Sequence, residues 1–424
     1  SLSADGKLLA YTLKPKAARA WRTDTHVVEL DLASGKRQQL PGAPGADNHP
    51  RYSPDGKRIA YISLERDQYE ADRYRLMVWD RSLKMSYELT EGFDNWAMEP
   101  TWAPSGGSLF FSTIERGRRP IYRVQDLRGA RAELVVRDGS LSLQGVTRWG
   151  RQERLLLIQQ AFHQPPRLVM SGTSPGGGVT PVTRLNDERL KAIDFAEVRD
   201  FDVAVPTKRD PKRQVHGFML IPKGKAKVRN QPFVVLIHGG PQGAWLDSFH
   251  PRWNAQLFAG MGWPVVVINP AGSLGYGQAF VEEVSKDWGG QPYEDILAVI
   301  DELSKDTLLD GSRVCAAGGS YGGYKVNLIE GHTDRFKCLV SHAGVSNHLS
   351  MYGSTDELFF SEWEFGGTPW EKPELHEKWN PILHVANFKT PMLVIHGQND
   401  MRVPLEQGLQ MFTVLKRQGV DARL

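Results

Sequence analysis

The residues with the clearest chemical potential are Gly318–Gly322 (GGSYG), which contain the pattern Gly-x-Ser-x-Gly. The apolar run Val314–Ala317 precedes them and predicts a buried strand, and Tyr324–His332 can continue as a helix. Strand, tight turn and helix form the context of a nucleophile elbow, in which a strained turn exposes a serine hydroxyl. The pattern therefore predicts that Ser320 attacks a carbonyl carbon. A glycine-rich turn with a solvated serine is the alternative.

A second glycine turn follows another apolar run. The segment His238–Pro241 (HGGP) comes directly after Phe233–Ile237. Adjacent glycines leave backbone N–H groups free to point at a substrate oxygen, and the residue after a nucleophile supplies another such donor. We therefore predict an oxyanion hole formed by the N–H groups of Gly240 and Tyr321. An ordinary tight turn is the alternative.

A carboxylate stands at the end of a third apolar run. Asp400 lies in the segment His396–Pro404, directly after Met392–Ile395. Its position after Ser320 fits the chain order Ser, Asp, His found in one group of catalytic triads. In such a triad the aspartate orients a histidine and stabilises its cation. We predict this role for Asp400, with an aspartate that caps the next helix as the alternative.

The histidine of this triad is missing from its expected place. It should follow Asp400, on the loop after the next strand, but the last of the twelve histidines is His396. His238 belongs to the glycine turn and His342 to the end of a neighbouring strand, so neither is a convincing substitute. We expect either that the sequence stops at Leu424 before reaching its base, or that the triad does not work.

The elements that position these residues alternate between strands and helices from about residue 194 onward. Continuous apolar runs, typical of parallel strands buried on both faces, are separated by helix-like segments. This alternation predicts a three-layer α/β fold with a mostly parallel sheet, in which ligands bind at the carboxyl ends of the strands. The predicted strands are the antiparallel pair Val203–Thr207 and Gly217–Ile221, then Phe233–Ile237, Val265–Ile268, Val314–Ala317, Cys338–Val340, Met392–Ile395 and an incomplete Val420–Leu424; the clearest helices are Tyr293–Ser304 and Leu405–Gln418.

The first half of the chain contains a repeat with a period of 50 residues. The segment SADGKLLAY at 3–11 recurs as SPDGKRIAY at 53–61 and as APSGGSLFF at 103–111, and a fainter copy at 150–158 keeps only its apolar run. Each copy is a turn followed by a strand, and about four short strands per period indicate the blades of a β-propeller. We predict that residues 1–193 form about four blades of a larger propeller and that residues 194–424 form an α/β-hydrolase domain.

Composition argues against several classes of protein. The net charge is +3, charged residues make up 24% of the chain, and the lysines and arginines are scattered, so binding to nucleic acid or a membrane surface is not expected. No apolar run approaches the length of a membrane span. Cys315 and Cys338 each lie in an apolar run, where buried free thiols are expected rather than a disulfide or a metal site. No cofactor or metal is predicted, and the cysteines do not decide the compartment.

Several motifs together resemble the prolyl oligopeptidase family of serine peptidases. The resemblance covers essentially all of residues 194–424, and the propeller repeats fit it as well. The segment EWEFGGTPW (362–370) narrows it to the dipeptidyl-peptidase V and acylaminoacyl-peptidase branch. The other motifs are HGGPQG (238–243), GSLGYG (272–277), DWGG (287–290), the Ser320 elbow, GHTDRF (331–336) and HGQNDMRVP (396–404).

The resemblance implies a serine peptidase that releases N-terminal dipeptides from peptide substrates, with alanine or another small or apolar residue before the cleaved bond. Release of an acylated amino acid is the alternative within the same chemistry. A non-catalytic propeller binding protein with a dead hydrolase domain is the alternative if the chain naturally ends at Leu424. The resemblance also implies truncation at both ends and tilts the compartment towards the periplasm or secretion, with the cytoplasm still open. It leaves the oligomeric state open, a dimer included.

Two positions depart from the family pattern. Ala271 replaces the arginine that is usual before Gly-Ser, and Lys325 stands where an apolar helix residue is usual. Both departures put the local packing near the site in doubt without affecting the nucleophile.

A charged stretch, residues 65–75, interrupts the propeller repeats and predicts a long connection or a short helix. A dipeptidyl peptidase must measure two residues from a charged amine, so it needs a carboxylate at a fixed distance from its nucleophile. We predict that Glu70, with Asp72 as a possible partner, binds the substrate amine. Glu362 and Glu364 are competing candidates, and a solvated loop is the alternative for the whole stretch.

Overall fold

A computed structural model describes residues 1–15, 20–125 and 131–424, which divide into two compact units. The first unit comprises Ser1–Ala192 with the short pieces Leu246–Phe249 and Gly275–Gln278. The second unit comprises Ile193–Trp245, His250–Leu274 and Ala279–Leu424. Among the described residues, no helix is both long and apolar enough to cross a bilayer.

The first unit contains four consecutive antiparallel sheets. The first sheet has three strands in the order β1-β2-β3, and each of the others has four strands that follow one another along the chain. The strands are β1 (Leu8–Leu13), β2 (His26–Asp31), β3 (Arg37–Gln39), β4 (Asp47–Tyr52), β5 (Arg58–Ser63), β6 (Arg75–Asp80), β7 (Met85–Glu88), β8 (Met98–Trp102), β9 (Leu109–Ser112), β10 (Ile121–Val124), β11 (Glu133–Val136), β12 (Ser140–Trp149), β13 (Gln152–Ala161), β14 (Gln164–Gly172) and β15 (Val179–Pro181), followed by the short helix α1 (Asp187–Leu190).

The 50-residue repeat corresponds to a repeated turn and strand. Each repeated apolar run forms a strand at the predicted position, namely β1, β5, β9 and β13. In two copies the turn has the same hydrogen bonds, because Ser3 Oγ donates to Asp5 Oδ1 at 2.7 Å and Ser53 Oγ donates to Asp55 Oδ1 at 2.6 Å. The charged stretch between β5 and β6 is a connection of turns and contains no helix.

One eight-stranded mixed sheet organises the second unit, in the order β16-β17-β19-β18-β20-β21-β22-β23. Strands β16, β17 and β19 pair antiparallel, and the remaining pairs are parallel. The strands are β16 (Glu197–Ala204), β17 (Gln214–Ile221), β18 (Gln231–Ile237), β19 (Val265–Asn269), β20 (Leu309–Gly319), β21 (Phe336–His342), β22 (Met392–Ile395) and β23 (Ala422–Arg423). The helices are α2 (Ala255–Gly260), α3 (Gln278–Glu282), α4 (Gln291–Leu303), α5 (Tyr321–His332), α6 (His348–Ser354), α7 (Leu358–Phe365), α8 (Pro373–Lys378) and α9 (Leu405–Arg417), with a 3-10 helix at Pro381–Asn387.

The strands and helices predicted in this half are present, except that the first strand, β16, covers Glu197–Ala204 instead of Val203–Thr207. The expectation of burial on both faces is wrong for β21, where Cys338 is exposed, and for β22. Met392 and Val394 are buried, whereas Leu393 and Ile395 remain 40% and 43% exposed. This alternation is the pattern of a strand that packs on one face only. Strands β18, β19 and β20 lie at the centre of the sheet, where their buried side chains pack with those of α4, α5 and α9.

The prediction of two free thiols is also wrong, because Cys315 and Cys338 form a disulfide. They stand opposite each other on the neighbouring parallel strands β20 and β21, with a Cα–Cα distance of 4.8 Å. That separation lies within the range that a disulfide spans. The apolar context of each cysteine was visible in the sequence, but the adjacency of their strands was not.

Candidate active site

The nucleophile elbow forms where β20 meets α5. Ser320 has φ 57° and ψ −121°, a strained conformation for a residue with a side chain, and it is exposed. Its N–H donates to the His342 carbonyl at 2.9 Å, which fixes the turn against the end of β21. A Cβ added at Gly322 would lie 2.2 Å from the Ile237 carbonyl oxygen, so only glycine permits this approach of α5 to β18. The turn is the one that the Gly-x-Ser-x-Gly pattern predicts.

The predicted oxyanion loop lies beside this elbow, at the end of β18. Gly240 has φ 141°, a conformation that favours glycine. A Cβ added at the preceding Gly239 would lie 3.2 Å from the Ser320 Cβ, so the loop and the nucleophile are in direct proximity. The structure therefore brings the backbone of Gly240 and that of Tyr321 to the same end of the sheet, since they follow the neighbouring parallel strands β18 and β20.

His238 supports this loop rather than standing free in it. Its ring is buried, with Nδ1 2.8 Å from the Gly239 carbonyl oxygen and Nε2 2.9 Å from Ser273 Oγ. Burial lowers the pKa of His238 to about 4, so its imidazole is neutral at physiological pH. This geometry agrees with the assignment of His238 to the glycine turn.

The loop after β22 holds Asp400 by its backbone. Asp400 Oδ1 accepts hydrogen bonds from the N–H groups of Arg402 and Val403, both at 3.0 Å. His396 Nε2 donates to the Val403 carbonyl at 2.7 Å and so closes the same loop. In the described ranges of the chain, Asp400 Oδ2 makes no hydrogen bond, which leaves one carboxylate oxygen to orient another group.

Ser320, Gly240 and Asp400 line one cavity of about 470 Å³ in the second unit. Among the other residues that line it, the sequence reasoning missed His250, Arg252 and Trp253, and it named His342 only as the end of a neighbouring strand. Only His342 left a usable signal, because it ends β21 and β21 neighbours the nucleophile strand in the parallel sheet. Burial is the main cause that lowers the pKa of His342; Arg252 and His396 add to this effect, and Asp400 opposes it.

The two departures from the family pattern have structural explanations. Beside Ala271, a buried guanidinium comes from Arg213, which donates to Asp295 Oδ1 and Oδ2 at 2.7 Å each. The Ala271 N–H donates to Asp295 Oδ2 at 2.8 Å. Lys325 is fully buried in α5 and hydrogen-bonds the Trp288 carbonyl. The packing near the site is thus complete at both positions.

The carboxylates predicted to bind an amine lie in different surroundings. In the first unit, Glu70 is exposed, whereas Asp72 is buried, with Oδ2 accepting from the N–H groups of Glu65 and Arg66 at 2.8 Å each. The Arg66 guanidinium also pairs with Asp72. Asp72 therefore organises its own connection.

The competing candidates belong to the second unit and already have partners there. Glu362 accepts a hydrogen bond from the Tyr352 hydroxyl at 3.0 Å. Glu364 is buried and accepts from Gln242 and Trp288. Across the described residues, no three His, Cys, Asp or Glu side chains are grouped so that they could hold a metal ion.

Comparisons with known proteins agree with this geometry. Residues 248–424 match the model of the prolyl oligopeptidase family. The chain is 32% identical over 425 residues to dipeptidyl-peptidase 5 of Schizosaccharomyces pombe, covering 99% of this chain and 60% of that protein. It is 31% identical over 438 residues to dipeptidyl-peptidase 5 of Porphyromonas gingivalis, covering 100% of this chain and 62% of that protein. The chain thus spans about three fifths of the length of these relatives.

Solved structures show the same fold. The acylaminoacyl peptidase of Pyrococcus horikoshii superposes with a TM-score of 0.80 at 24% identity, over 98% of this chain and 63% of that chain. Dipeptidyl peptidase 4 of Porphyromonas gingivalis superposes with a TM-score of 0.69 at 14% identity, over 99% of this chain and 69% of that chain.

Proposed function

We propose that this chain belongs to the prolyl oligopeptidase family, whose model matches residues 248–424, and that the full protein is a serine peptidase that releases N-terminal dipeptides. The observation that carries the proposal is Ser320, strained at φ 57° in a cavity shared with Gly240 and Asp400. Relatives named dipeptidyl-peptidase 5 support dipeptide release over release of an acylated amino acid. The substrate has a small or apolar residue before the cleaved bond.

In the proposed mechanism, Ser320 Oγ attacks the carbonyl carbon of the second substrate residue while a histidine takes the hydroxyl proton. The N–H groups of Gly240 and Tyr321 stabilise the negative charge that develops on the carbonyl oxygen. The histidine then protonates the leaving amine, the C–N bond breaks, and water hydrolyses the acyl-enzyme. Asp400, through its carboxylate, orients the histidine and stabilises its cation.

We assign residues 1–193 to about four blades of a β-propeller and residues 194–424 to an α/β-hydrolase domain. The four consecutive antiparallel sheets and the 50-residue repeat support the first assignment. The eight-stranded mixed sheet with its elbow supports the second.

We also propose that Glu70 binds the free amine of the substrate. Glu70 is exposed, and the hydrogen bonds around Asp72 hold the connection that carries it. Asp72 supports the connection and takes part in amine binding only indirectly. An unpaired ammonium in a desolvated site would be unfavourable, so a carboxylate there contributes to selectivity.

The first test replaces the nucleophile. Ser320→Ala in the full-length protein should lower hydrolysis of an alanyl-alanyl anilide by at least about 10⁴-fold, because no residue then forms the acyl-enzyme. Labelling by a fluorophosphonate should disappear with it. Labelling that persists in Ser320→Ala, or an unchanged rate, contradicts the assignment of Ser320.

The second test separates dipeptide release from its alternatives. We expect kcat/KM to be high for alanyl-alanyl anilide with a free amine and low for the N-acetylated alanyl anilide. Glu70→Gln should reduce kcat/KM for the free amine only, and the exposed Glu91 in the same unit provides the control Glu91→Gln. A preference for the acetylated substrate would identify an acylaminoacyl peptidase, and no turnover of either would favour a non-catalytic binding protein.

A further inference from the structure

Lys325 is an unusual residue in the interior of the second unit. It lies one helical turn after Tyr321 in α5, and it is fully buried. Its ammonium lies 5.2 Å from the ring centroid of Tyr321 and 5.6 Å from that of Tyr324. Taking a lysine out of water is unfavourable unless specific groups replace its hydration, so its contacts indicate what it does there.

The Lys325 ammonium replaces its hydration with a single backbone carbonyl, that of Trp288. The Tyr321 hydroxyl donates to the same oxygen at 2.8 Å. Residues four apart face the same side of a helix, so Tyr321 and Lys325 together hold this carbonyl with the first turns of α5. These turns also carry Ser320 and the Tyr321 N–H.

The side chain of Trp288 is linked through Glu364 to the loop after β18, which carries Gly240. Its Nε1 donates to Glu364 Oε2 at 2.8 Å, and Gln242 Nε2 donates to Glu364 Oε1 at 2.8 Å. Gln242 lies two residues after Gly240, in the loop at the end of β18. Hydrogen bonds through Trp288 and Glu364, all buried except the partly buried one from Gln242, therefore join the backbones that carry both proposed oxyanion donors.

We propose that Lys325 is a positioning residue, which fixes the Trp288 carbonyl and so sets the Tyr321 N–H relative to Ser320 and the Gly240 loop. The proposal rests on the peptidase function proposed above. A role in packing alone would not need a cation, since an apolar side chain of the same length fills the same volume. Burial lowers the pKa of Lys325 to about 7, so this site disfavours the charged form and holds the amino group through its hydrogen bond to the Trp288 carbonyl.

The test compares catalysis with stability in the full-length protein. Lys325→Met keeps the length of the side chain and removes its hydrogen bond and charge. We expect kcat to fall about tenfold or more with KM within twofold, and the rate of fluorophosphonate labelling of Ser320 to fall in parallel. The thermal midpoint should stay unchanged or rise, because an apolar side chain does not lose the hydration that a buried amino group gives up. The exposed Lys416 on α9 supplies the control Lys416→Met.

A second variant covers the case in which Lys325→Met does not fold. Tyr321→Phe keeps the ring and the N–H but removes the other donor to Trp288, and it should lower kcat and the labelling rate in the same way. In the double variant the two losses should be less than additive, because both act on one carbonyl. Unchanged kcat and labelling rate in either foldable variant overturn the proposal. Absence of labelling in the wild type instead overturns the peptidase function, and with it this role.

Discussion

Helices α5 and α9 belong to the same unit and have similar lengths, 12 and 13 residues, but they differ in their surroundings. Every residue of α5 from Tyr321 to Gly331 is buried, whereas α9 buries only a stripe of Gln407, Gly408, Met411 and Leu415. The apolar stripe of α9 is the usual sign of a helix that covers one face of a sheet. No such stripe marks α5.

The difference shows what the nucleophile helix requires. Because α5 has no solvated face, its polar side chains must find partners inside the protein. Lys325 binds the Trp288 carbonyl, and Asn327 donates to the Val345 carbonyl at 3.0 Å. Glu330 accepts from the N–H groups of Lys389 and Thr390. These contacts fix the helix in position.

The largest expected contrast comes from a matched pair of leucines. Leu328 in α5 is fully buried, and Leu409 in α9 is 44% exposed. Leu328→Ala should lower the free energy of unfolding by about 2–5 kcal/mol, because it leaves a cavity. Leu409→Ala should change it by less than about 0.5 kcal/mol. Urea unfolding of both variants checks this, and similar losses would contradict the difference in packing.

Lys325 in α5 and the exposed Lys416 in α9 should differ in how they make the free energy of unfolding depend on pH. Burial lowers the pKa of Lys325 from 10.5 to about 7, with Asp287 and Asp295 opposing the shift. Between these values the unfolded chain binds more protons than the folded protein, so stability rises with pH. Lys325 should therefore raise the free energy of unfolding by about 2 kcal/mol between pH 7 and pH 9.

Lys325→Met should remove that gain from the pH dependence of urea unfolding. Lys416→Met should leave the dependence as in the wild type. If the free energy of unfolding of Lys325→Met rose with pH as steeply as that of the wild type, the rise would not come from Lys325. The Lys325 ammonium would then be solvated.

Glu330 in α5 should give a dependence of the opposite sign. Burial raises the pKa of Glu330 from 4.5 to about 7, so the folded protein binds the extra proton between these values. Stability should therefore fall by about 2 kcal/mol from this group as pH rises from 5 to 7. Glu330→Gln should flatten this part of the curve, measured by urea unfolding at several pH values. If the free energy of unfolding of Glu330→Gln still fell as steeply between pH 5 and pH 7, other groups would be the cause of the fall.

The smallest effect is expected at the start of α9. The half-buried Glu406 accepts a hydrogen bond from the exposed Ser354 Oγ at 2.6 Å. Glu406→Gln keeps this acceptor and loses only a charge near the helix N-terminus, which should cost less than about 0.5 kcal/mol. If Glu406→Gln changed the free energy of unfolding by about 2 kcal/mol, the size of the contribution expected from Glu330, α9 would be held as tightly as α5.

The sequence predicts the parts of the site whose signals are local. The elbow at Ser320, the glycine turn at Gly240 and the acidic loop at Asp400 each follow directly from an apolar run. A short motif of this kind contains its own strand, turn and helix, so the structure at these positions could be read without knowing the rest of the fold.

Features that depend on the order of strands could not be read in this way. In the sheet β20 lies between β18 and β21, and this order alone makes Cys315 and Cys338 neighbours and brings His342 into the cavity. The partners of Lys325 and Arg213, Trp288 and Asp295, are likewise distant in sequence. From the sequence alone, Lys325 and Arg213 would be expected at the surface. The tertiary structure shows that each is buried against an acceptor.

The Cys315–Cys338 disulfide closes a covalent ring that contains Ser320 and the whole of α5. If the chain were pulled from its two ends, for example by a motor that unfolds proteins, tension would pass from β20 to β21 through the sulfur atoms. The elbow and its helix would lie outside the load path, because a closed ring cannot be extended beyond its link. As long as the link is intact, mechanical force therefore cannot straighten the segment that carries the nucleophile.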